Sequence, residues 1–596
     1  MKMKKKLAVF LSACVVGTVF ASTVLTPNTN NKSGDIPTGY TELDFNLFNG
    51  NWVENLTLPK TASDKAVVKI TSDAGYASYL DTSNTDIPLE SLKITKGSSY
   101  TFIFDLAQKK WNLDVQAVAL TNGVDHYTVP GSEQYIQKVQ LKNGQWAKQI
   151  SLPAQAKDGS LIQVVSSASN ESSINTDNLL FSSSFILKNG DEFWFKYNEK
   201  LEKWVSEYVK PHQLNAQQVG KNIPSVKAPV TEILFANGNW VAEIVLPKTA
   251  KDRDRIVFKS TAAWQAKISN ENTSTSSTLK LKNGDRYEFL YVADIAKWVL
   301  ISSPQLTLQA KDLASRQIPN MEQPTTRIKV ANANWQPSLN LPLVAQVGDK
   351  VIFNSTANYQ TNITSANGIN DTLSKEESLR YKYTATGWTK DSSTIDILLV
   401  NSPEVTTKLD GASAAKLRMI ESYDLTNSSA EASDAQFYLR NVSYLEYKIP
   451  STTRLLDVIS TGRDDKTVQN ERDRVKADAI YYQGNESDPA ACGWAWVNKT
   501  PSAYNMISSS TLQGCSIGAM RHEVGHNLGL NHTAENYVGQ GFSHPLGSTI
   551  MNGNSLDFYS SPTLYSPQYG IRLGEAGKID AVSIINKNAP LVARFK

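Results

Sequence analysis

The strongest constraint on this chain's fold is one phrase written four times. NGNWVENLTLP at 49–59, NGQWAKQISLP at 143–153, NGNWVAEIVLP at 237–247 and NANWQPSLNLP at 332–342 share a single pattern. Their tryptophans, Trp52, Trp146, Trp240 and Trp335, lie 94, 94 and 95 residues apart, and a second tryptophan closes each unit at Trp111, Trp204, Trp298 and Trp388. Self-similarity at a fixed period means one unit multiplied along the chain. Inside a unit, stretches such as WVAEIVLP and RYEFLYV alternate apolar and polar residues, the period of a half-buried strand. Asn-Gly and Gly-Asp pairs supply the positive φ that tight turns need, and a proline closes the first strand, where it cannot donate to a central ladder. The expectation is four small all-β sandwiches, at 41–115, 135–208, 230–302 and 325–390, with 22–40 and polar stretches such as 209–232 as linkers. So small a unit has little core, so its two repeat tryptophans are expected inside it. The irregular aromatics Trp194 and Trp264 are the candidates for a surface role.

After Trp388 the text changes. TIDILLV (394–400) is a continuous apolar strand, DGASAAKLRMIESYDL (410–425) has helical spacing, and FYLRNVSYLEYKI (437–449) reads as a long strand. A charged helix running into a strand follows at 467–483, then short strands at 492–498 and 503–510, a helix at 513–530 and a closing helix at 576–588. Residues 391–596 therefore read as one mixed α/β domain of ordinary size.

The chain opens with Lys2, Lys4, Lys5 and Lys6, an apolar run from Leu7 to Phe20, and the small-residue cleavage pattern ending at Ala21. That is a secretory signal over 1–21, and the run is too short to span a membrane. LSAC at 11–14 also matches an acylation box, which leaves an N-terminal lipid on Cys14 as the alternative. Removing the four lysines takes the formal net charge from +3 to −1, so the basicity belongs to targeting and points to no nucleic-acid partner. Of three cysteines, Cys492 and Cys515 then remain, an even pair in an exported chain. A disulfide is the expected state, with two buried thiols as the alternative.

RHEVGHNLGLNHTAE at 521–535 holds half of the six histidines. On a helix His522 and His526 stand one turn apart on one face, with Glu523 on the adjoining part of it. Gly529 falls where the chain leaves the helix, in the left-handed conformation that glycine accepts, and the returning chain can present His532. Three neutral nitrogens suit Zn²⁺ and leave a fourth position for water, the mark of a catalytic ion; a structural zinc wants four protein ligands, usually with cysteine, and His544 is no obvious fourth. Glu523 is placed to accept the water proton and pass it to a departing amine. The pattern is that of a zinc-dependent peptidase.

Met551, in GSTIMNG (547–553), completes a second motif nineteen residues after His532. In both motifs the domain resembles the metzincin clan of zinc endopeptidases, in which a methionine turn lies beneath three histidines as an apolar floor. The resemblance implies that role for Met551. It is most similar to the adamalysin/reprolysin type, through RDRVKADAIYY (472–482) and the CG pair at 492–493. Gly553 stands where astacins and serralysins often carry tyrosine. Thr533 stands where adamalysins usually carry aspartate, which sets this chain apart from that subfamily's pattern.

The order of four sandwiches and then such a domain resembles secreted bacterial glycoprotein-directed metalloendopeptidases. That resemblance implies host glycoproteins such as coagulation factors as substrates, passage through the periplasm by type II secretion, and a dedicated membrane-anchored chaperone. The chain is then a monomer, or a heterodimer with that chaperone. The repeats read as substrate-docking modules or as rigid spacers; the alternative for the whole chain is a carbohydrate-binding adhesin with accessory protease activity. No cysteine precedes Cys492 once the signal is removed, so latency by a cysteine thiolate from a propeptide is excluded. Residues 554–570 read either as the wall of the pocket for the residue after the cut or as an ordered surface loop.

Overall fold

The computed structural model describes residues 22–596, apart from 119, 121–122, 133, 182, 184, 227, 314, 451–453 and 489–490. The expected signal, its cleavage site and Cys14 lie outside the described residues. The chain divides into two units after Lys210.

The first unit holds two sandwiches. In the first, a five-stranded sheet runs Thr23–Leu25, Glu42–Leu47, Val67–Ser72, Ser98–Asp105 and Lys110–Leu113, facing a three-stranded sheet of Asn55–Thr57, Ser78–Asp81 and Ser91–Ile94. The first three strands of the larger sheet pair in parallel and the last three antiparallel. The Asn49-Gly50 turn is closed by paired Phe48 and Asn51 backbone bonds with Gly50 at φ +83°, and it sends the chain across to the other sheet. The second sandwich repeats the plan with a four-stranded smaller sheet.

The repeat tryptophans divide into two kinds. Trp111, Trp204, Trp298 and Trp388 are buried, and each indole N–H donates to the carbonyl of the proline that closes its unit's repeated phrase, just after a strand of the smaller sheet and not after the unit's first strand: Pro59 (2.8 Å), Pro153 (2.7 Å), Pro247 (2.8 Å) and Pro342 (2.9 Å). A buried indole needs an acceptor, and a proline carbonyl at a strand's end has no ladder partner to lose, which accounts for the two residues recurring together. Trp52, Trp146, Trp240 and Trp335 are only half-buried, at the rim, so the core expectation holds for one tryptophan of each pair.

Trp194, expected at the surface, is instead buried. A bulge between Trp194 and Phe195 breaks the alternation of its strand, and its ring joins the core of the first sandwich, beside Trp111 and Ile136. Trp264 is exposed. The expected linkers are also corrected. Thr23–Leu25, in 22–40, and His212–Asn215, in 209–232, each add an edge strand to the following sandwich. Edge strands pair on one side and stay largely solvated, so they carry no strong apolar pattern to read.

In the second unit the third and fourth sandwiches precede a five-stranded α/β domain, whose elements are numbered here from its own start. They are β1 (Ser393–Asn401), α1 (Pro403–Lys408), α2 (Ala412–Ala432), β2 (Phe437–Glu446), α3 (Leu455–Gly462), α4 (Lys466–Val475), β3 (Ala479–Gly484), β4 (Gly493–Ala495), β5 (Ile507–Thr511), α5 (Ala519–Asn527) and α6 (Ala581–Val592). The sheet order is β2-β1-β3-β5-β4, parallel except for the edge strand β4. Strand β1 carries apolar residues on both faces, interrupted by Asp396, because both faces are covered: Ile395, Ile397 and Leu399 pack with α2, α5 and α6, and Leu398 and Val400 with α3 and α4. Helix α3 was not visible in the sequence pattern. Helix α5 is shorter than 513–530, because Gly514 at φ +69° and the bonded Cys515 hold 513–518 as a loop.

The third and fourth sandwiches are built into this unit. Arg255 donates to the carbonyls of Pro567 and Gln568 (both 2.6 Å), Arg253 donates to Gly570, and Tyr565 packs on Leu290 and Val292. From the fourth, buried Arg380 donates to the Asp391 carbonyl (3.1 and 2.9 Å) and the Ala435 carbonyl (3.1 Å), and its Nε lies 3.1 Å from the Asp391 carboxylate. Arg380→Ala strands a buried carboxylate and is expected to cost about 3–5 kcal/mol. It should appear in the full chain as faster hydrogen exchange of β1; unchanged protection would contradict this account of the seam.

Candidate metal centre

Helix α5 ends in a Schellman turn. The Gly529 N–H donates to the His526 carbonyl (2.9 Å) and the Leu530 N–H to the Gly525 carbonyl (3.0 Å), with Gly529 at φ +101°. Space also demands glycine there, since a Cβ would lie 2.7 Å from Asn588 Nδ2 and 3.1 Å from the Asn498 carbonyl. The turn reverses the chain, and a bridge between Asn531 and Gln540 and a bond from Gly541 N–H to the His532 carbonyl (3.0 Å) hold His532 facing the helix.

His522, His526 and His532 accordingly converge, with ligand atoms within 4.8 Å of one another. His532 Nε2 lies 2.8 Å from His522 Nε2 and 3.1 Å from His526 Nε2. The far nitrogens decide the tautomers: His522 Nδ1 is 2.7 Å from the Ile550 carbonyl, and His526 Nδ1 is 2.9 Å from the Leu530 carbonyl. A carbonyl only accepts, so both protons sit on Nδ1 and both Nε2 lone pairs face inward. Burial lowers the pKa of all three rings, that of His526 to about 3, so they are neutral near pH 7. Three neutral imidazoles converging in this way, two of them with carbonyl-oriented far nitrogens, are the donor set of a borderline-soft divalent metal. Among the described residues His544 lies outside this group; its Nδ1 accepts from the Leu546 N–H.

Met551 is fully buried among Met520, Val524 and Tyr559. Its sulfur sits so near α5 that a Cβ on Gly525 would fall 2.5 Å from it. The preceding carbonyl, of Ile550, is the one that orients His522, so this turn acts through its backbone as well as its side chain.

Glu523 is buried, and loss of solvent pushes its carboxyl up to about 8. It lines a cleft of about 810 Å³ with the three histidines, Trp494 of β4 and Thr533, the residue that departs from the adamalysin pattern. Among the described residues strand β4 pairs with β5 alone, as an edge strand, and its residues line the cleft. Cys492, just before β4, is disulfide-bonded to Cys515, in the loop before α5.

The sequence reading missed several supports. Arg521, next to His522, is buried and donates to Asn554 Oδ1 (2.8 Å) and Ser429 Oγ (3.0 Å) and pairs with Asp557, tying α5 to α2 and to the segment after the methionine turn. Asn588 Nδ2 caps the helix end at the Leu528 carbonyl (2.9 Å). Arg521 stands beside His522 and Asn588 in the closing helix, but a lone Arg or Asn shows its partner only in the fold. Residues 554–570 divide by position. Asn554 lines the cleft, Tyr559 is core with its hydroxyl on the Arg521 carbonyl (2.6 Å), and 565–570 lie against the third sandwich.

The model of the metalloprotease StcE β-sandwich domain matches residues 41–115, 134–208, 228–302 and 323–392. That of the metallopeptidase family M12, in its reprolysin form, matches 391–561. None of the curated proteins matches the chain. A solved chain from a structure described as a chaperone–substrate complex is 55% identical, covers 96% of this chain and 100% of its own, and superimposes with a TM-score of 0.87. A fragment of enterohemorrhagic E. coli StcE, residues 132–251, is 19% identical over 15% of this chain and 91% of its own, with a TM-score of 0.14.

Proposed function

We propose, because this chain belongs to the M12 metallopeptidases that carry StcE-type β-sandwich domains and is a metalloendopeptidase, that it cuts glycoproteins with one Zn²⁺ held by His522, His526 and His532. The observation carrying this reading is the convergence of three Nε2 atoms, with the far nitrogens of His522 and His526 fixed by carbonyls. Bound there, Zn²⁺ supplies a Lewis acid that polarises the scissile carbonyl and acidifies water. Glu523 accepts the proton of the attacking water and returns it to the leaving amine. Burial raises its carboxyl above the ordinary glutamate range, which makes its carboxylate the stronger base. The free edge of β4 offers ladder partners to an extended substrate beside the cleft, the backbone mode of peptide capture. Met551 and Gly529 hold the ligand frame from below and behind.

The substrate class we propose is host glycoproteins, coagulation factors among them, met after export from the cell. A chaperone serves as partner on that route, in keeping with the complex from which the 55% identical chain was solved. The repeats dock the substrate. Three of them present an exposed aromatic against the half-buried repeat tryptophan: Tyr76 on Trp52 (ring centroids 5.6 Å), Trp264 on Trp240 (6.3 Å) and Tyr359 on Trp335 (5.3 Å). Such ring faces suit the apolar faces of sugars or proline rings. The test is cleavage of one O-glycosylated protein before and after enzymatic removal of its glycans, with the wild-type chain and with Trp264→Ala. Faster cleavage of the glycosylated form, with the advantage reduced by Trp264→Ala, supports docking. Equal rates on both forms would contradict it and leave the repeats as spacers.

A further inference from the structure

Gly493 occupies a position where a glycine is required by space alone. It lies in strand β4 without positive φ, so its backbone would accept any residue. A Cβ there, however, would lie 2.6 Å from Glu523 Oε1, 2.7 Å from Glu523 Cγ and 2.6 Å from the Ser509 carbonyl. The Ser509 carbonyl is backbone of β5, the strand paired to β4, and cannot move aside without breaking that pairing. The glutamate side chain therefore packs into a slot that exists because residue 493 has no side chain.

The slot is held shut from the next residue along. Cys492 is bonded to Cys515, and the Cys492 carbonyl accepts from the Thr511 N–H (3.0 Å), which extends the β4–β5 ladder by one residue. Cys515 is itself fixed, since Arg418 of α2 donates to its carbonyl (2.7 Å). The start of the edge strand and the loop entering α5 are thus cross-linked eight residues before Glu523. We propose that Gly493 and the Cys492–Cys515 bond are positioning elements for the Glu523 carboxylate: the glycine forms its slot and the disulfide keeps β4 from drifting off it. This inference rests on the reading of Glu523 as the proton-transfer group. It places a requirement for oxidation inside the catalytic geometry, apart from any general effect of the bond on stability.

The test uses the purified full chain, with zinc per chain, melting temperature, and kcat and KM on a peptide substrate measured together. Gly493→Ala is expected to keep zinc at the wild-type ratio and to lower kcat by about 10-fold or more, the scale of an ångström's displacement of a reacting group, with KM changed by less than about threefold. Wild-type chain reduced with a non-chelating phosphine is expected to show the same split. A kcat within about twofold of wild type in both samples would overturn the proposal. Should Gly493→Ala fail to fold, the reduced wild type decides, because it needs no substitution: a fallen kcat with zinc retained supports the proposal, and an unchanged kcat overturns it. Glu523→Gln in parallel separates the two readings. Activity lost in Glu523→Gln but kept in Gly493→Ala and in the reduced chain leaves Glu523 as the base and removes the slot; activity kept in Glu523→Gln removes the base itself.

Discussion

Glu523→Gln is expected to retain the fold and one zinc per chain and to lose peptide hydrolysis by about 10²- to 10⁴-fold, the span of a positioned general acid–base group. The amide matches the carboxylate in shape, so the slot against Gly493 stays filled and His522 and His526 keep their carbonyl partners. An amide cannot take a proton from water, so the loss should fall on kcat with KM little altered. Steady-state kinetics on a peptide, beside metal analysis of the same preparation, measure it. A variant with near-wild-type kcat would mean that another group moves the proton.

His526→Ala is expected to abolish measurable proteolysis by a different route. Its ring is buried, its Nδ1 is held by the Leu530 carbonyl, and its Nε2 faces His532. Truncation removes one of three donors and leaves the Leu530 carbonyl short of a buried partner, at a cost of about 1–3 kcal/mol. Zinc per chain should fall well below that of wild type after dialysis against a weak chelator, and circular dichroism should show the sheets intact. The two variants therefore separate the roles: one keeps metal and loses chemistry, the other loses metal and chemistry together. Zinc retained at wild-type stoichiometry in His526→Ala would remove this histidine from the ligand set.

How much of this was legible in the sequence depends on the range over which each residue acts. The tandem architecture was plain, because its period is written in tryptophans and prolines, and the structure adds that one tryptophan of each pair bonds the proline of its own unit. The convergence of the three histidines was plain because the i, i+4 spacing and the glycine exit are local geometry. Where partners are remote, the reading failed. Trp194 looked like a surface aromatic because nothing near it tells of the neighbouring sandwich or of the bulge that turns it there. The edge strands in 22–40 and 209–232 looked like linkers because a strand paired on one side needs no apolar stripe. Gly525 carries no mark in the sequence and Gly493 only that of the CG pair, yet each leaves room for one atom group arriving from elsewhere, the Met551 sulfur and the Glu523 carboxylate. A sequence shows that a glycine is present; only the fold shows what fills the space beside it.

The outer faces of the sandwiches make the same point at larger scale. RYEFLYV reads as a half-buried strand, yet Leu290 and Val292 on its outer face are buried against Tyr565, and in the fourth sandwich Arg380 is buried against the α/β domain. Alternation reports the core of a strand's own sandwich and is silent about a second partner on the far face.

The central claim is that three imidazoles hold one catalytic zinc, and its most direct test is the metal content of active, full-length protein. Elemental analysis of dialysed chain should find one zinc per chain, and activity removed by a strong chelator should return in proportion to zinc added back, up to that ratio. Full proteolytic activity in protein carrying no transition metal would contradict the account.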